Sequence, residues 1–167
     1  MTSDTPSYFN LLSELLNAAE EEILAADGRD PRQKKFEEVV RSIDHALGGE
    51  DVLYCTHSFT NLNGVDAPLT GRAIAFTSSL VATVDLRSRS DVPVIVVPLS
   101  SLDSISLDDH RGPQFLGSTP WNERRASLRF GGTRNIQLLL PGAPSSEANT
   151  HAFTEFYPTL LNALRSP

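Results

Sequence analysis

The spacing of apolar residues changes period near Gly48-Gly49, and that change sets the order in which this chain builds its elements. Before it, apolar residues recur every three or four positions; after it, as far as Leu140, they alternate with polar ones. The first pattern gives a helix one apolar stripe, and the second gives a strand one apolar face. Helices first and strands afterwards, in separate runs, predict an α+β fold rather than interleaved strands and helices.

The helical part has its own punctuation. Over Tyr8–Ala26 the stripe is Phe9, Leu12, Leu15, Leu16, Ala19, Ile23 and Leu24, with Ser7 as the expected N-cap. Asp27-Gly28-Arg29-Asp30 is the break. Asp30 then caps a second helix, and Pro31 takes the first-turn position that proline tolerates. Phe36, Val39, Val40, Ile43 and Leu47 form its stripe, and Gly48-Gly49 stops it. Residues 1–48 are therefore expected as a helical hairpin. Its stripes must be buried either on the β part or on a second copy of the chain, so a homodimer through these helices stays open.

Beyond it, seven short strands are expected. Val52–Phe59 places Leu53, Cys55, His57 and Phe59 on one face, with His57 half-buried, and Asn63-Gly64 signals a turn. Arg72–Thr77 and Leu80–Leu86 flank Ser78-Ser79 as a tight hairpin. Val92–Leu99 (VPVIVVPL) is strand-prone, and its prolines mark an edge or a bent strand. Leu102–Leu107 follows, then a polar loop, Asp108–Arg124. Ala126/Leu128/Phe130 and Ile136/Leu138/Leu140 alternate around a Gly131-Gly132 turn. Pro141–Ser146 reads as a linker to a last helix capped by Asn149 or Thr150. That helix has an apolar face of Phe153, Phe156, Tyr157, Leu160, Leu161 and Leu164, and a kink is expected at Pro158. A bent sheet leaves an open end that such a helix can plug.

Three stretches carry a resemblance. Gly49-Glu50-Asp51-Val52-Leu53 is similar to a GE-x-VL first-strand opening, Gly71–Val84 to a second hairpin, and Val97–Leu107 to an I-P-Y-S-D-I-x-S-I strand pair. With the final helix, roughly residues 49–165 resemble the pleckstrin-homology-like fold, in the manner of bacterial PH-like and GRAM-like domains, so 49–167 is expected as the β domain. The resemblance implies a seven-stranded antiparallel bent sheet or partly open barrel capped by a C-terminal helix. It also implies a binding module for lipids, peptides or proteins. Lipid-binding members surround the first loop with Lys and Arg, whereas Thr60–Gly71 here holds Asp66 and no base. That departure argues against phosphoinositides, which need several cations.

Charge and motifs narrow the function classes. The net charge is -7, and the excess lies in the first 50 residues, with 11 acids against 5 bases. Phosphate backbones are repelled by such a surface, so no nucleic-acid partner is expected. No apolar run of membrane-spanning length and no signal-like start occurs, which gives a cytoplasmic expectation without a transmembrane segment. Cys55 stands alone, as a small buried hydrophobe. Asp108-Asp109-His110 with His57 or His151 lacks metal-ligand spacing and reads as a solvated loop. No nucleophile elbow, S-x-x-K, phosphate loop or dinucleotide glycine motif is present. The expectation is thus a non-enzyme with no catalytic residue, cofactor or metal, acting as a protein-interaction or scaffold module. A small-ligand or anionic-lipid site is the alternative.

Two features remain as a candidate interaction surface. Arg124, Arg125, Arg129 and Arg134 cluster on or beside one hairpin, either as an anion or acidic-peptide patch or as a solvated face offsetting nearby acids. Phe115 and Trp121, in the long polar loop, are either interface anchors or side chains folded back onto the β part.

Overall fold

A computed structural model describes residues 6–18, 31–60, 68–86, 92–109, 124–132, 135–142 and 145–165. Helices α1 (Pro6–Asn17) and α2 (Pro31–Leu47) come first. Strands β1 (Tyr54–His57), β2 (Gly71–Phe76), β3 (Leu80–Leu86) and β4 (Val94–Pro98) form one antiparallel sheet in that order. A single 3-10 turn, Leu99–Ser101, leads to β5 (Leu102–Asp109), β6 (Arg124–Phe130) and β7 (Ile136–Leu140), a second antiparallel sheet. Helix α3 (Glu147–Arg165) ends the chain. The expected α+β order of seven strands between helices is therefore present, in two sheets that do not close into a barrel.

Strands β1 to β3 of the first sheet are buried on both faces, and β4 is half-buried to exposed. One face sends Cys55, Phe59, Ala73, Ala75, Ala82 and Val84 against Tyr8, Leu11 and Leu15 of α1 and Phe36, Val39, Val40 and Ile43 of α2. Tyr8, Leu11 and Leu15 of α1 and the stripe of α2 are thus buried within the same chain. Tyr54, Ile74, Phe76 and Val81 point the other way, against the second sheet and α3. Alternation in β1 is therefore alternation between two cores, and all four of its residues are buried.

Helix α3 covers the second core. Phe156 stacks on Tyr54 at 5.3 Å and lies 5.0 Å from Phe76, and Phe153 reaches Tyr54 at 5.6 Å between centroids. Each fully buried Phe or Leu on this face stabilises the cover by about 1.5–3 kcal/mol. Pro158 is exposed and α3 runs through it to Arg165 without a break in the helix.

Several local expectations are corrected. Helix α1 begins at Pro6, so Ser7 lies inside the first turn, and its hydroxyl donates to Asp44 Oδ1 at 2.6 Å rather than capping. Arg41 of α2 sits 5.4 Å above the Tyr8 ring, a second tie between the helices. The inward face of α1 is Tyr8, Leu11, Leu15 and Ala18; Phe9 and Leu16 face water at 56% and 38% exposure. Ala19, Ile23 and Leu24 of the expected stripe, the Asp27–Asp30 break, and Asn63-Gly64 lie outside the described residues. The cap of α3 is Ser146, whose Oγ accepts from Asn149 N–H at 3.1 Å; Asn149 and Thr150 are inside the helix. The hairpin at Ser78-Ser79 is as expected, closed by Thr77 N–H on the Leu80 carbonyl at 2.9 Å. Strand β4 is an edge, as its prolines require.

Candidate functional site

The free edge of β1 is closed by side chain and glycine rather than by another strand. Asn149 reaches in from the first turn of α3. Its Nδ2 donates to the Cys55 carbonyl at 2.8 Å, and its Oδ1 accepts from Thr56 Oγ1 at 2.9 Å and from the Tyr54 hydroxyl at 3.1 Å. Thr56 Oγ1 in turn accepts from Gly142 N–H at 2.9 Å. Gly142 crosses so close to the His57 carbonyl that a Cβ there would overlap it. Ser146 extends the join to α1: its Oγ donates to the Asn17 carbonyl at 2.6 Å and its N–H to the Ala18 carbonyl at 3.0 Å. Every member of this buried set has a partner, which is what a low-dielectric interior demands.

The titratable groups of β1 are held in their neutral forms. Burial raises the Tyr54 hydroxyl well above its ordinary range, against the Thr56 hydrogen bond. Burial also raises the Cys55 thiol, and the charge of Glu14 adds to it. His57 is only 2% exposed, not half-buried as expected, because the helical layer covers its face of the sheet. Its ring stacks on Phe59 at 5.1 Å and meets Phe36 edge-on at 6.0 Å. Nδ1 accepts from Phe59 N–H at 3.2 Å, which assigns the proton to Nε2. Nε2 is buried without a hydrogen-bond partner among the described residues. Burial lowers its pKa to about 4, with the Leu15 carbonyl opposing more weakly. The apolar packing around the tyrosine, the thiol and the imidazole thus favours the neutral form of each.

The arginine hairpin faces outward. Ala126, Leu128 and Phe130 of β6 are buried, so Arg125, Ser127 and Arg129 alternate onto the opposite face beside Gln137 and Leu139 of β7. Gln137 Nε2 donates to Ser127 Oγ across the strands at 2.9 Å. Arg129 is exposed and Arg125 half-buried, so the structure places these two on one face. Arg124 starts β6, and Arg134, Phe115 and Trp121 lie outside the described residues. His151, exposed on α3, pairs with Glu155 at 3.6 Å, far in role from the buried His57. Among the described residues no three metal-ligating side chains converge.

Two clefts are walled by the described residues. One, of about 690 Å³, runs between α1, the entry to β1 and α3, past Asn10, Glu14, Asn17, Asp51, Leu53 and Ala152. The other, of about 460 Å³, lies where the two sheets part, walled by Ser58, Arg72, Ile74, Arg125, Leu139 and Pro141. Arg72 bridges the sheets there, donating to Asp85 Oδ2 at 3.0 Å and to the Gln137 carbonyl at 2.8 Å. Periodicity carries no sign of this cleft, because Arg72 and Arg125 are 53 positions apart and come to line it only through sheet packing. Among the described residues no helix is long and apolar enough to cross a membrane. No protein-family model matches this sequence, and no curated protein matches it either.

Proposed function

We propose that the chain is a non-enzymatic protein-interaction or scaffold module, working in the cytoplasm, and built on a PH-like or GRAM-like β domain (49–167) behind a helical extension (1–48). The observation that carries the reading is the outer ridge of α1. Phe9 and Leu16, two turns apart on one helical face, stay in water while the inward face of the same helix is already filled. Leu53 is also 51% exposed, on the rim of the larger cleft, which neither Phe9 nor Leu16 lines. Exposed apolar side chains aligned on one face of a firmly anchored element favour docking of another protein surface. The ridge fits either an apolar patch of a different protein or the same ridge on a second copy.

The test uses the double variant Phe9→Ser/Leu16→Ser, which removes the ridge and, with it, the edge-on contact of Phe9 on the Tyr8 ring at 5.3 Å. Size exclusion with light scattering reads self-association, and affinity capture from native cytosol reads a different partner. The reading expects the wild-type chain to dimerise or to retain a protein that the variant releases. A monomer whose captured set is the same for both chains would sink it.

A further inference from the structure

Strand β7 ends the second sheet, and part of its outer edge is unpaired. Gly131 N–H donates to the Ser101 carbonyl at 2.9 Å, so the odd-numbered residues of β6 turn their backbone groups toward β5. Ala126, Leu128 and Phe130 then pair with Leu140, Leu138 and Ile136. In an antiparallel ladder the intervening residues turn the other way, so Gln137 and Leu139 direct N–H and C=O to the free edge. The Gln137 carbonyl on that edge is held by Arg72. The Leu139 N–H and C=O have no partner among the described residues.

This free donor and acceptor open onto the 460 Å³ cleft between the sheets, a volume within the roughly 300–1,000 Å³ of ligand-sized pockets. Ile74, Leu139 and Pro141 supply apolar wall. Arg72 has its guanidinium divided between Asp85 and Gln137. Arg125, half-buried on the same cleft, has no ion pair or hydrogen bond among the described residues, although Asp108 stands opposite it in the register. A strand edge with a free hydrogen-bonding pair selects an extended backbone, and an uncommitted guanidinium fork selects a planar anion.

We infer that this cleft binds an extended peptide segment bearing a carboxylate, its backbone exchanging hydrogen bonds with Leu139 and its carboxylate seated on Arg125. The inference rests on the reading of the chain as a protein-interaction module, and it adds a surface separate from the α1 ridge.

The experiment is a titration of the full ¹⁵N-labelled chain with four probes. These are an acetylated Ala-Val-Glu-Val amide, its Gln counterpart, acetylated Ala-Val-Val with a free C-terminus, and phosphatidylglycerol vesicles. At least one carboxylate peptide is expected to shift the Leu139 amide and the Arg125 side-chain resonance, and to bind at least about tenfold tighter than the Gln peptide. Comparing the two carboxylate probes tells a side-chain acid from a chain terminus. Arg125→Gln is expected to erase that preference, and N-methylating the probe's backbone is expected to weaken binding while leaving the protein unaltered. Equal affinity for the Glu and Gln peptides, shifts remote from Leu139, response to vesicles alone, or binding that emerges only in Asp108→Asn would each overturn the inference. If the ridge variant loses its partner or dimer while these peptides fail, the cleft is refuted and the module reading stands. If the peptides bind while ridge and wild-type captures agree, the ridge is refuted and the cleft stands.

Discussion

Asn149 and Cys55, 94 positions apart, meet in one buried hydrogen bond: the amide of the first α3 turn donates to the β1 carbonyl at 2.8 Å. The same side chain satisfies Thr56 and Tyr54, so one residue attaches the covering helix to the otherwise unpaired edge of the first sheet.

Replacing Asn149 with Ala leaves a carbonyl and two hydroxyls buried with fewer partners. The expected loss is about 2–4 kcal/mol of folding stability, measured by urea denaturation. Tyr54→Phe removes only one donor from the same set and is expected to cost about 1 kcal/mol. If the two variants lose equal amounts, Asn149 is not the centre of the join.

Gly142 allows the backbone to cross β1 with no Cβ in the way. Gly142→Ala must displace either the His57 carbonyl or the crossing chain, for an expected loss of about 3 kcal/mol or more. Gly131→Ala, whose Cβ would meet the nearest atom at 3.9 Å, serves as the control and is expected to change stability by less than about 1 kcal/mol.

His57 makes the protein acid-sensitive. Its folded pKa of about 4 lies below the ordinary 6.5, so the unfolded chain takes up a proton first as pH falls. The stability that neutral His57 contributes is complete above pH 6.5 and declines by about 1.4 kcal/mol per unit down to pH 4. Denaturation midpoints across pH 4–7 should show this slope in the wild type and lose it in His57→Phe, whatever the absolute stability of that variant.

Ser146 caps α3 and ties it to the end of α1. Ser146→Ala is expected to cost about 1–2 kcal/mol. It is also expected to speed hydrogen exchange at the Asn149 amide, with β6 and β7 unchanged.

The strand count and the helix-first order were legible because apolar alternation reports burial on one side of a strand, whatever it packs against. The division into four and three strands was not, since it depends on the Leu99–Ser101 corner, whose sequence differs little from the strands beside it. Helix α1 carries two apolar arcs, Tyr8/Leu11/Leu15 and Phe9/Leu16, and periodicity alone cannot say which one the sheet selects. Asn149 read as a cap because short polar side chains favour helix ends; only the position of β1 shows that it points inward. The alternation Ala126/Leu128/Phe130 is enough to put Arg125 and Arg129 on one face, whereas the cleft beside them depends on Arg72 and Pro141 arriving from distant stretches.

Cys55, the sole thiol of the chain, lies between the first sheet and the helical pair, and burial keeps it protonated. It also borders the 690 Å³ cleft beside α1. A thiolate-seeking reagent therefore reaches it through opening of the fold around α1, and its labelling rate at native conditions gauges that opening without any engineered probe.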